Sequence, residues 1–117
     1  MYRIFKQLVI AAGAVSLCCI PHSATAGNWT VFTAHVTRVE ASYMPNLITF
    51  QIDQAAGACA AGQFLQWSPQ GSDEEKQIAN ANAVYSLLMT ALATGKQVTI
   101  YGNDTNCAAS LIHIFNG

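Results

Sequence analysis

The first 26 residues constrain the fold most, because they predict their own removal. Met1 to Gln7 carries Arg3 and Lys6 and no acid, and Leu8 to Ile20 is an almost unbroken apolar run. Pro21 breaks that run, and Ala24-Thr25-Ala26 places small residues where a signal peptidase reads them. A positive start, a short apolar stretch and an A-x-A site describe a secretory signal peptide. The apolar stretch is about 13 residues, short of the roughly 20 that a membrane span needs. The chain is therefore expected to divide into a leader at 1–26 and a single domain at 27–117, secreted or periplasmic after cleavage near Ala26. Cys18 is preceded by Leu17, so a lipoprotein site is not expected there.

Removing the leader changes what remains. A domain of about 91 residues buries a smaller share of its surface than a large one, so its core is thin. Three cations (Arg38, Lys76, Lys96) stand against six acids (Glu40, Asp53, Asp73, Glu74, Glu75, Asp104), a net charge of −3. With no basic patch, no nucleic-acid partner is expected. No second apolar run is long enough for a membrane span.

The four cysteines become two, since Cys18 and Cys19 leave with the leader. An even pair in an oxidising compartment predicts one disulfide, Cys59 to Cys107. Loop-closure entropy over about 49 residues makes such a bridge worth roughly 4 kcal/mol. His35 and His113 are isolated, so neither a metal site nor a cofactor is expected.

Trp29 to Ser42 reads as a long strand, with Phe32, Ala34 and Val36 alternating against Thr33, His35 and Thr37. Tyr43-Met44-Pro45-Asn46 is a turn. Leu47 to Asp53 is a second strand, with Ile48, Phe50 and Ile52 on one face. Gln63 to Ser68 is a short third, Phe64 and Gln66 opposing Leu65 and Trp67. Ser72 and Glu75 make a capping box, and Asp73, Glu74 and Glu75 complement the helix dipole. Ile78, Ala81, Tyr85, Leu88 and Leu92 form an amphipathic stripe, widened by Val84, Leu87 and Ala91. The helix is predicted over roughly Asp73 to Thr94, closed by Gly95. Gln97 to Tyr101 and Leu111 to Phe115 are the last two strands, separated by the polar turn Gly102 to Asn106 and Cys107.

The order is βββ-α-ββ, so the class is mainly β with one helix. A five-stranded Greek-key barrel with a helix between strands three and four is the OB-fold arrangement, and an OB-fold-like barrel is the expectation. An open α+β sheet with the helix across one face is the rival.

Tyr85 to Leu92, the segment Thr94-Gly95-Lys96-Gln97-Val98-Thr99-Ile100-Tyr101, Phe50-Gln51-Ile52 and Cys59-Ala60 together resemble a known family. They look like the long helix, the Thr-Gly-x-x-Val-x-Ile turn with its following strand, an apolar strand and a cysteine of the binding (B) subunits of bacterial AB5 toxins, in the subtilase-cytotoxin and typhoid-toxin branch. The start at Ala26 to Thr30 is loosely similar. The resemblance implies an OB-fold, a pentameric homo-oligomer with helices lining a pore, and glycan binding on a host surface. This chain is shorter than those subunits and lacks their second cysteine pair.

No catalytic signature is present: no G-x-S-x-G, no H-E-x-x-H and no Gly-rich phosphate loop before the helix. Glu74 and Glu75 are adjacent on a helix, point about 100° apart, and read as dipole partners. An enzyme is not expected. Binding is better supported. Trp29, Tyr43, Trp67 and Tyr101 are aromatics near strand ends or on outer faces, and Asn46, Gln51, Gln66 and Asn103 are nearby amides. Tyr43, Asn46, Trp67 and Asn103 are the candidate ligand-binding residues, against the plainer role of Trp29 and Trp67 as caps on the core. Asn80, Asn82, Ser86 and Thr90 give the helix a neutral polar face, which suits either an assembly or a solvated helix. The function expected is a secreted binding module for a glycan or cell-surface partner. The alternative is an inhibitor or immunity-type protein that plugs an enzyme.

Overall fold

A computed structural model describes residues 27–116, together with the isolated Gly13. Apart from Gly13, the expected leader, with Cys18, Cys19 and the expected cleavage site, lies outside the described residues. The elements are β1 (Asn28–Glu40), β2 (Ile48–Ile52), β3 (Leu65–Trp67), α1 (Glu74–Thr94), β4 (Gln97–Asn103) and β5 (Ala108–Phe115), with a 3-10 turn at Thr105–Cys107. The sheet is mixed. β1 pairs antiparallel with β2 and with β4, β2 with β3, and β4 with β5, while β3 and β5 run parallel. The pairings run β1-β2-β3-β5-β4 and return to β1, so β1 serves two neighbours. Its first half lies against β4 and its second half against β2.

That double duty bends β1. The register shifts between Val31 and Ala34 on the β4 side, and again between Val36 and Arg38 on the β2 side. A bulge inserts a residue and turns the following side chains to the other face. Trp29, Val31, Ala34 and Val36 are therefore buried. Phe32, predicted to share a face with Ala34 and Val36, is instead 69% exposed. Uniform alternation fails here because the strand changes partner midway.

β2 and β4 keep their predicted faces, with Ile48, Phe50 and Ile52, then Val98 and Ile100 buried. In β3 it is Leu65 and Trp67 that turn inward, which places the candidate ligand residue Trp67 in the core. β4 and β5 are longer than predicted, because Gly102 pairs with Ala109, and Asn103 with Ala108. Among the described residues no charged or polar side chain is buried in the core.

The helix begins one residue away from the predicted cap. Asp73, not Ser72, is the N-cap, and its Oδ1 accepts from the Lys76 backbone N–H at 2.9 Å. Ser72 instead accepts a hydrogen bond from the Lys76 ammonium at 3.0 Å. An aspartate at this position satisfies an orphan N–H and meets the dipole with a charge. At the other end Gly95 takes the left-handed conformation, φ 71°, and donates its N–H to the Ala91 carbonyl, the helix stop that glycine adopts without a Cβ penalty.

The buried stripe is Ala81, Val84, Leu88 and Ala91, rotated from the predicted one. Ile78 and Leu92 fall at its margins and are more than one-third exposed. Small alanines at the contact let the helix lie close on the sheet, chiefly against β1.

The predicted bridge is present between Cys59 and Cys107, with Cα atoms 6.1 Å apart. It ties the loop after β2 to the 3-10 turn before β5. Within that turn two residues take the left-handed conformation, Asn106 and Cys107. Asparagine tolerates this conformation, whereas cysteine seldom adopts it.

Candidate functional site

The turn between β1 and β2 is held by its own backbone. The Tyr43 carbonyl accepts from the N–H groups of Asn46 and Leu47, at 3.0 and 3.1 Å, and Met44 N–H donates to the Ala41 carbonyl. The Met44–Pro45 peptide is cis. The turn leaves Tyr43 61% exposed, with Asn46 also at the surface.

Across from it the chain leaves β3 through Ser68 and Pro69 and enters α1. The two segments enclose a small groove of about 130 Å³, with Pro45, Pro69 and Ile78 as apolar lining and Asn46, Glu74 and Gln77 as polar lining. That is well under the roughly 300–1,000 Å³ of an ordinary small-molecule pocket, so it accommodates one small group at a time. The Gln77 Nε2 donates one of its protons to the Gly71 carbonyl at 3.2 Å.

Trp67 supports this region from below. It is 5% exposed, and its indole N–H donates to Asn80 Oδ1 at 2.9 Å. The same oxygen accepts the Gln70 backbone N–H at 2.9 Å. Asn80 thus fixes both the tryptophan and the segment leading into the helix. The sequence reading placed Asn80 on the outer face. The signal against that was its spacing, four residues before Val84 and eight before Leu88, which puts it in line with the buried stripe.

The four candidate ligand residues do not converge. Tyr43 and Asn46 share the turn, and Trp67 lies in the core behind the groove. Asn103 is at the far end of β1, paired with Asn28 and Ala108. Its Oδ1 accepts the Thr105 N–H at 3.0 Å, within its own turn.

A second surface was not anticipated as a unit. On the outer face of β4 and β5, Tyr101 stands opposite Leu111, and Thr99 opposite His113. The Tyr101 and His113 rings are 6.1 Å apart and tilted by 52°. Tyr101, Leu111 and His113 form an apolar and aromatic patch, and Phe32, exposed by the bulge, lies on its Thr99 side, its carbonyl accepting from Thr99 Oγ1 at 2.7 Å. Tyr101 and Leu111 are 38% and 46% exposed.

Two carboxylates have perturbed titration. Partial burial opposes ionisation of Asp53, but the His35 backbone N–H at 2.7 Å, its ring nitrogen at 2.9 Å and its charge outweigh that, and the pKa falls below its ordinary value. Glu40 is held below the usual carboxylate range by the side chain and backbone N–H of Ser42. Glu40 ends β1 at the start of the turn to β2, and Asp53 lies just past β2 against His35 of β1. Among the described residues, no three His, Cys, Asp or Glu side chains are grouped to hold a metal ion, and no helix is long and apolar enough to cross a membrane.

Comparison of the chain with family models, with curated proteins and with solved structures gives no match.

Proposed function

We propose that this chain is an exported, non-enzymatic binding module, an OB-fold-like barrel similar to a toxin B subunit, that recognises a glycan on a cell surface. The barrel reading is supported by the return of the strand pairings to β1 and by a helix between β3 and β4. The observation that carries the glycan reading is the composition of the groove. Glu74 and the amides of Asn46 and Gln77 offer acceptors and donors to hydroxyl groups, beside apolar Ile78, Pro45 and Pro69. Exposed Tyr43 in the same turn adds a ring with one apolar face and one polar tip. A sugar presents that same mixture of hydroxyls and C–H faces.

A glycan array on the oxidised mature protein tests this. Binding to one glycan class is expected, with at least a tenfold loss in Asn46→Ala and in Tyr43→Ala. An array without signal sinks the sugar reading.

The patch of Phe32, Tyr101 and Leu111 favours a second reading, a protein partner. Contiguous exposed apolar surface marks interaction sites. An inhibitor or immunity-type protein would capture one exported enzyme in a stoichiometric complex, and Phe32→Ser would release it. A ring of identical subunits would instead use the patch for self-association, and light scattering at the mass of a single chain rules that out.

A further inference from the structure

We propose that Asp104 is a receptor for the α-ammonium group that leader removal creates on Gly27, so that export completes the fold. This rests on the reading of residues 1–26 as a cleaved leader.

The geometry around Asp104 is a clasp. Its Oδ2 accepts from the Gly27 nitrogen at 3.3 Å, and its own backbone N–H donates to the Gly27 carbonyl at 2.9 Å. The other carboxylate oxygen, Oδ1, accepts the Ala58 N–H at 2.8 Å. One side chain therefore joins three segments: the residue after the A-x-A motif, the loop carrying Cys59, and the turn leading to Cys107. The Gly27 nitrogen is partly buried at this junction. Trp29 packs beside it, its ring against the Cα atoms of Gly57 and Gly102, where an added Cβ has no room.

In the precursor the Gly27 nitrogen is a neutral amide with a single proton to donate. A leader peptidase hydrolyses the Ala26–Gly27 bond. Water adds across it, the carbonyl carbon of Ala26 becomes a carboxylate, and the nitrogen of Gly27 leaves as a protonated amine. The same nitrogen then carries a positive charge and three protons beside a carboxylate already aimed at it. A charge-assisted hydrogen bond is roughly twice as strong as a neutral one. The second event of the same compartment, closure of Cys59–Cys107, staples the same two loops. Both covalent changes that follow translocation act on one junction, so the domain reaches its full stability only outside the cytoplasm.

The test is a thermal double-mutant cycle. The chain beginning at Gly27 is released from a fusion by a protease that leaves no added residue. It is compared with the same chain N-acetylated at Gly27, each with Asp104 and with Asp104→Asn. Acetylation keeps an N–H and removes the charge. It is expected to lower Tm by about 4 °C with Asp104 present, in line with an ion pair in a domain of this size, and by less than about 1 °C in Asp104→Asn. Equal losses in both backgrounds, or none in either, overturn the pairing. Should Asp104→Asn fail to fold, salt replaces it. The difference between the free and acetylated chains must shrink in about 1 M NaCl, where the Debye length is roughly 3 Å, and an unchanged difference overturns the pairing. N-terminal sequencing of the exported protein separates the premises. A start at Gly27 supports processing there. A start elsewhere overturns the link to export, while the thermal cycle still judges the clasp.

Discussion

The two ends of β1 are built to opposite ends. At its start, Trp29 is packed between glycines, Asp104 joins three segments, and the disulfide closes the two loops beside it. At its finish, the turn to β2 holds its backbone firmly but leaves Tyr43 and Asn46 in solvent beside a shallow groove. One end spends its polar groups internally, and the other presents them. In a domain with a thin core, concentrating the cross-links at one end leaves the other free to carry recognition chemistry, as surface loops on a rigid frame commonly do.

The largest test of that contrast is removal of the bridge. Cys59→Ser with Cys107→Ser is expected to cost about 3–4 kcal/mol by urea denaturation, within the range for small secreted domains. Hydrogen exchange adds the regional reading: protection should fall first at the start of β1 and in the turn before β5. A loss of under about 1 kcal/mol would mean that the closed end does not depend on its staple. Gly102→Ala comes next. A Cβ there would run into the Trp29 ring and the Ala108 carbonyl, and overpacking of this kind costs about 1–3 kcal/mol. The glycine is required by close approach of an aromatic ring, and a neutral outcome would show that the tryptophan has room to move.

At the open end the expected effect is smaller and differently placed. Asn80→Ala leaves the buried Trp67 N–H and the Gln70 N–H without their shared acceptor, a loss of about 1–2 kcal/mol. Because Asn80 ties the segment behind the groove to the helix, the same change should also weaken ligand binding through Asn46 and Gln77. Trp67 fluorescence reports the local loosening. If stability falls and binding does not, the groove is not the recognition site.

The order of elements and most inner faces were legible in the sequence because β2 and β4 keep the same pair of neighbours along most of their length. Period-two alternation then reads burial directly: Ile48, Phe50 and Ile52 in β2, and Val98 and Ile100 in β4. β1 defeated that rule at Phe32 because its partner changes along its length, and pairing is a long-range property. The helix stripe was found but rotated, since Ile78 and Leu92 are apolar at the edge of a contact made by alanines. Cys59 and Cys107 followed from counting once the expected leader was set aside. The candidate site was legible only in part. Tyr43 and Asn46 lie in a turn that proline and asparagine announce, whereas the groove depends on Glu74 and Gln77, about 30 residues away in sequence.

Between the two ends lies the point where β1 passes from β4 to β2, and there His35 meets Asp53. Gln97 is the β4 partner of His35, and Ile52 is the β2 partner of Val36. Asp53 just beyond β2 accepts from the His35 backbone N–H and ring, and returns its own N–H to the His35 carbonyl. The folded pKa of Asp53 lies below its ordinary 3.8. The folded state therefore binds this proton less readily than the unfolded state does. The stabilisation is fully present above pH 3.8 and is lost as pH falls through the lower folded value. Both side chains are more than one-third exposed, so solvent screening keeps the effect under about 1 kcal/mol. Asp53→Asn should lower the urea midpoint slightly at pH 7, and the gap from wild type should close near about pH 2. A gap unchanged down to that pH would mean that the carboxylate charge contributes nothing, and that the handover of β1 is held by its backbone hydrogen bonds alone.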